Sequence, residues 1–135
     1  MKYLTIISNF IYLLCGLYLL YKNHYLYGII AIFIWLISHI YHTDKTKDNL
    51  WGWKMNMDIF FSTIFFIFLL IKCRSVILCI KNISLLFIVL ILFIFGWYYY
   101  YVDMQKHYIF HSLWHIASAL YILYIILLVE KNKLI

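Results

Sequence analysis

The chain has no proline, four glycines and three cysteines, and only 12% of its 135 residues are charged. With so little proline and glycine there is no linker of the usual composition, and nothing marks a second domain. The shortage of charge excludes an ordinary soluble domain, in which roughly a quarter of residues are charged. Cys15, Cys73 and Cys79 are odd in number and form no CxxC pair, so they read as buried or free thiols rather than a disulfide or metal set. The net charge of +6 is scattered over short loops. Without a basic helix or a nucleic-acid motif it points to lipid headgroups, not to nucleic acid as a partner.

What the chain does have is apolar side chains, 67% of the total. No soluble core of this length could hide so many. The charges fall between long apolar runs, the pattern of a polytopic membrane protein. The expected fold is all-α: one transmembrane helix bundle of about five spans, near residues 4–21, 25–42, 57–72, 83–101 and 107–129. The first run lacks a small-x-small cleavage site and reads as a retained span. Its Ser8, Asn9 and Gly16 suit contact with other helices. The longest polar loop, 43–56, carries Trp51 and Trp53, and the fourth run ends in Trp97 and four tyrosines, as interfacial belts do. Residues 73–82 read as irregular or interfacial.

The uncomfortable residues are few. His111 and His115 lie four apart near the start of the last span, so they share a helix face. Ser38 and His42 are paired in the same way at the end of the second span. Asp58 opens the third. Successive spans alternate direction, so the second ends on the side where the third and fifth begin. His42, Asp58, His111 and His115 therefore fall on one side of the membrane, at similar depth. Ionisable groups within spans are costly and usually functional.

Three neutral imidazoles suit Zn²⁺, with a fourth position left to water whose pKa then falls toward ~7. Asp58 would orient or deprotonate that water, or accept a ligand imidazole N–H. Ser38 would hydrogen-bond Asp58 or stabilise an oxyanion. Each part also has a plainer reading. The His pair can snorkel, Asp58 can cap its helix, and Ser38 can bond its own backbone. Ser118 shares roughly the face of His115, whereas Ser112 points elsewhere. His24, His39 and His107 read as interfacial, although a register with His107 as ligand stays open.

The set Ser38-x-x-x-His42, Asp58 in MDIFFS, and His111-Ser-Leu-Trp-His115 resembles the CREST superfamily of membrane hydrolases. That group holds alkaline ceramidases, progestin and adipoQ receptors, and GPI-processing and myomaker-like proteins; HSLWH looks most like the last two branches. The resemblance implies that His42, His111 and His115 bind zinc, that Asp58 supports the zinc-bound water, and that Ser38 completes the site. It implies cleavage of an amide or ester bond in a lipid. It covers roughly residues 35–62 and 107–118. The superfamily has seven spans where this chain has five, the difference falling between Asp58 and His111. A loss of two spans preserves parity but removes part of the wall around a lipid tail.

Three functions follow as expectations. The first is a zinc-dependent membrane hydrolase of lipids. The second is a non-catalytic membrane-remodelling or lipid-binding protein on the same scaffold. The third is a haem electron carrier with histidines from two spans as axial ligands. The loop lysines and arginine divide five against six between the two sides, which leaves the orientation open.

Overall fold

Long apolar runs in a bilayer must satisfy their backbone polar groups internally, and the helix is the local solution. The computed structural model describes residues 2–43 and 53–131 and shows six helices with no strand among them. They are α1 (Lys2–Tyr21), α2 (Tyr25–Thr43), α3 (Trp53–Lys72), the short α4 (Arg74–Ile77), α5 (Ile80–Val102) and α6 (Met104–Lys131). Most of the polar loop, with Trp51, lies outside the described residues.

The chain is a polytopic membrane helix bundle. Four helices, α1, α2, α5 and α6, are long and apolar enough to cross a membrane. The expected third span coincides with α3, whose 20 residues amount to about 30 Å of helix. Two boundaries differ from expectation in ways that matter. Helix α3 begins at Trp53, not near 57, so Asp58 lies beyond the first turn. Its capping role is thereby removed. Helix α6 begins at Met104, which places His107 inside it. The stretch 73–82 resolves into α4 and the start of α5, tied together by Asn82 Nδ2 donating to the Val76 carbonyl at 2.7 Å.

The turns are tight and specific. After α1, Asn23 adopts φ 64°, a left-handed conformation that asparagine tolerates better than most residues. The N–H groups of Asn23 and His24 then bond the Leu20 and Leu19 carbonyls at 3.0 and 2.9 Å. This double bond pattern closes a helix C-terminus and turns the chain into α2. Between α5 and α6 the only connecting residue is Asp103. Its Oδ1 accepts from the N–H groups of Gln105 and Lys106 at 3.0 and 3.2 Å, capping α6.

Helix α6 is the spine. Its buried residues Ser112, His115, Ser118, Ala119, Ile125, Ile126 and Val129 recur at helical spacing and make one stripe. Helix α1 packs along it, α2 packs on α1, α5 lies on the other flank of α6, and α3 leans on α2. Phe65, Leu69 and Cys73 from α3 and α4's approach join Tyr27, Ile34 and Ile126 in the core. Tyr18, Tyr21 and Tyr25 are exposed at one end, Tyr3, Tyr98 and Tyr101 at the other, as two aromatic belts would be. All three cysteines are free, and only Cys79 is exposed.

Gly16 and Gly28 let α1 and α2 cross closely, the role expected of Gly16. A Cβ on Gly28 would stand 2.9 Å from the Gly16 carbonyl oxygen, a backbone atom that cannot swing away. On Gly96 it would meet the His111 backbone at an ordinary 3.6 Å. Gly28→Ala should therefore lower the stability of the purified protein by about 1–3 kcal/mol through overpacking. Gly96→Ala should be neutral or mildly stabilising, because alanine suits a helix interior better. Thermal unfolding in detergent measures both; equal effects would contradict this account of the crossing.

Candidate metal centre

Helices α2 and α6 bring three imidazoles together. His42 lies in the last turn of α2, and His111 and His115 follow each other by one turn on α6. One nitrogen from each lies within 4.8 Å of the other two. His42 and His115 are buried, and His111 is half-buried. The Nε2 atoms of His42 and His111 are 3.4 Å apart. Zinc–nitrogen bonds of about 2.0–2.1 Å at tetrahedral angles separate two ligand nitrogens by about the same distance. These three histidines can hold a metal ion, and they are the three singled out in the sequence.

The third helix of the site is α1. Ser8 Oγ lies 3.2 Å from Nδ1 of His115. The Ser8 proton is committed to the Thr5 carbonyl, 3.1 Å away. Ser8 therefore accepts from the imidazole, so the His115 proton sits on Nδ1. The Thr5 carbonyl is a further acceptor beside the ring. This tautomer, assigned from the hydrogen-bond network, leaves Nε2 with a free lone pair, as metal ligation requires. One turn below, Tyr12 meets Ser118, whose own proton goes to the Trp114 carbonyl, so Tyr12 donates. Ser112 bonds the Tyr108 carbonyl of its own helix, as expected of a serine pointing elsewhere.

His42 and His111 border a cavity of about 620 Å³, with His115 behind them. Trp53 and Met104, both exposed, line its outer end beside His107. Asp58 faces it from α3, and His42 and His111 face it from α2 and α6. Deeper, the lining turns mainly apolar, with Ile34, Phe65, Val89, Phe93 and Ile122 beside the hydroxyl-bearing Tyr12, Ser118 and Tyr121. Ser38 is buried one turn below His42 on the same face of α2 but is not among the cavity's lining residues. Three of the five singled-out residues thus form the imidazole cluster, Asp58 joins them across the cavity, and Ser38 packs behind.

The remaining histidines have other partners. His24 pairs with Glu130 at 3.1 Å, at the opposite end of the bundle. His39 packs at a tilt on Trp35 with ring centroids 5.4 Å apart. His107 donates from Nδ1 to the Gly96 carbonyl at 2.8 Å and stacks on His111, one turn outside the group of three. Thr5, Ser8 and Tyr12 are the site residues that sequence reasoning missed. The signal was present: α1 starts on the side where α2 ends, so its first polar turns had to arrive at the depth of His42.

Residues that orient a metal-binding imidazole typically contribute 10–100-fold to affinity. Ser8→Ala should weaken metal binding by about that factor, read by competition against a chelator of known affinity. Ser8→Thr, which keeps the acceptor oxygen, should recover much of the loss. If Ser8→Ala binds metal as tightly as the unchanged protein, the hydrogen bond has no such role.

A comparison with protein-family models, curated proteins and solved structures finds no match to this chain, so the reading of its site rests on the geometry above.

Proposed function

We propose that this protein is a zinc-dependent integral-membrane hydrolase that cleaves an amide or ester bond of a lipid. The observation that carries the proposal is the continuity of the site: three imidazoles converge, and two of them, His42 and His111, line a cavity that becomes mainly apolar with depth. An amphiphile fits that gradient, its scissile group among the histidines and its tail beyond them. The resemblance of the Ser38/His42, Asp58 and His111/His115 set to the CREST superfamily supports the same reading.

In this scheme His42, His111 and His115 hold the metal, and Ser8 fixes the ring of His115. Bound zinc would supply a Lewis acid and make water more acidic at ordinary pH. Asp58 takes up the water proton as the oxygen bonds to the substrate carbonyl carbon. It returns that proton to the leaving nitrogen or oxygen as the carbon–heteroatom bond breaks. Ser38 supports His42 from within the helix packing. The apolar lower cavity excludes water from the tail and holds the carbonyl in register.

Metal analysis of the purified protein should find about one zinc per chain, as expected for a three-histidine site. His111→Ala and His115→Ala should abolish it, while His39→Ala, which changes a packed ring away from the cluster, should retain it. Asp58→Asn should keep the zinc and the fold but lower turnover of a lipid amide or ester by about 10²–10⁴-fold, the usual scale for a lost general base. Full turnover by Asp58→Asn would remove Asp58 from the chemistry. A folded, zinc-loaded protein with no turnover on any lipid amide or ester would identify a lipid-binding scaffold instead.

A further inference from the structure

The two ends of the bundle differ in charge. By sequence, the start of α1, the stretch from the end of α2 into α3 and the α5–α6 turn carry Lys2, Lys45, Lys47, Lys54 and Lys106 at the metal end, offset by Asp44, Asp48, Asp58 and Asp103. The segments at the other end carry Lys22, Lys72, Arg74, Lys81, Lys131 and Lys133, offset by Glu130 alone. Most of the net charge of +6 therefore belongs to one end. A count of cations, five against six, conceals this because the difference lies in the carboxylates. Lys22, Lys72, Arg74, Lys81 and Lys131 are all exposed. Among the described residues none of these five pairs with a carboxylate, and Glu130 is engaged by His24 at 3.1 Å.

The placement of these cations fits a lipid surface. None of them lines the cavity. They stand around the rim, on the α1–α2 turn, the end of α3, α4, the start of α5 and the end of α6. Lys22 sits over the rings of Tyr18 and Tyr21 at 5.9 and 5.8 Å, and tyrosines at the end of a span mark headgroup depth. Helix α4 is held by Val76 and Ile77, which are buried in the core, while Leu78, between Arg74 and Lys81 in the chain, is 69% exposed. An exposed apolar side chain flanked by cations suits the boundary between headgroups and acyl chains. We propose that the end of the bundle remote from the metal centre docks on anionic phospholipid headgroups. The partner is a leaflet of net negative charge, met by exposed cations at the rim. A zwitterionic leaflet offers the same acyl chains but no charge to match. The inference does not depend on the metal centre or its chemistry, and it directs that centre toward the opposite leaflet.

The test uses Cys79, the exposed cysteine, which stands between Arg74 and Lys81 in the chain. The full chain carries a thiol-reactive fluorophore there and is reconstituted in phosphatidylcholine vesicles. The quencher is spin-labelled phosphatidylserine or spin-labelled phosphatidylcholine. The serine lipid should quench with roughly fivefold higher relative affinity, the scale of one headgroup meeting one cation. High salt should shrink that preference. Arg74→Gln combined with Lys81→Gln should reduce it to near equality, while Lys106→Gln, at the metal end, should leave it unchanged. All three side chains are exposed, so the variants should fold, and thermal unfolding in detergent checks this. Equal quenching by the two lipids in the unchanged protein would overturn the inference, as would a preference that survives intact in the folded double variant. Loss of the preference to millimolar inorganic phosphate at matched ionic strength would identify a site for free anions and overturn it too.

Discussion

The imidazole of His115 is the point on which the bundle turns. It is 1% exposed, three turns into a membrane-spanning helix, and every polar atom it carries must be met within the protein. Ser8 meets Nδ1 and the Thr5 carbonyl lies beside the ring, which requires α1 to lie against α6 in one register. His42 and His111 face the other side of the ring, which requires α2 to end at the same depth. The Gly16–Gly28 crossing then allows α1 and α2 to approach closely enough to satisfy both demands together. One buried ring thus specifies the mutual placement of three helices, and Asn9, whose side chain donates to the Trp35 carbonyl at 3.2 Å, reinforces the α1–α2 contact.

Much of this was legible in the sequence because membrane topology restricts the choices so strongly. Alternation of direction alone placed His42, Asp58, His111 and His115 on one side, and the period of the helix paired Ser38 with His42 and His111 with His115. The expected spans recur as helices extended by a few residues, since apolarity marks what sits in lipid while helices run on into the interface. That extension hid the fact that Asp58 is too far along α3 to cap it. The depth of Ser8 was legible, but its bond to His115 was not. Serine in an apolar helix looks the same whether it bonds its own backbone or another helix's imidazole, and only the pairing of α1 with α6 decides between them. The cavity was invisible for a similar reason: its walls come from five helices, and only their packing shows which of many similar side chains line it.

The resemblance to a seven-span architecture raised the expectation that five spans would leave the site poorly walled. A cavity is present nonetheless, because α3 and α5 face it from opposite sides without packing closely on each other, while α6 forms its back. Helix α5 makes this possible by needing few partners. It packs chiefly on α6, and Phe87, Ile94 and Tyr98 on its outer surface are exposed, which in a bilayer carries no hydrophobic penalty. A soluble bundle could not keep such a helix at arm's length; a membrane one can, and the space that results is the cavity.

The same economy divides the site into a firm half and a loose half. The three imidazoles stand on α2 and α6, which α1 binds together through glycine contact and polar bonds. Asp58 stands on α3, whose packing runs mainly to α2, through pairs such as Phe33–Phe61 and Tyr27–Phe68 with ring centroids 5.2 and 6.0 Å apart. Dispersion contacts of this kind fix distance well but orientation weakly compared with hydrogen bonds. The three imidazoles are thus pre-organised by the fold, whereas the distance from Asp58 to them depends on the α2–α3 seam. A proton acceptor that must both take and return a proton gains from such latitude, and a metal ligand does not. The distribution of rigidity across the bundle matches the different roles assigned to its histidines and its aspartate.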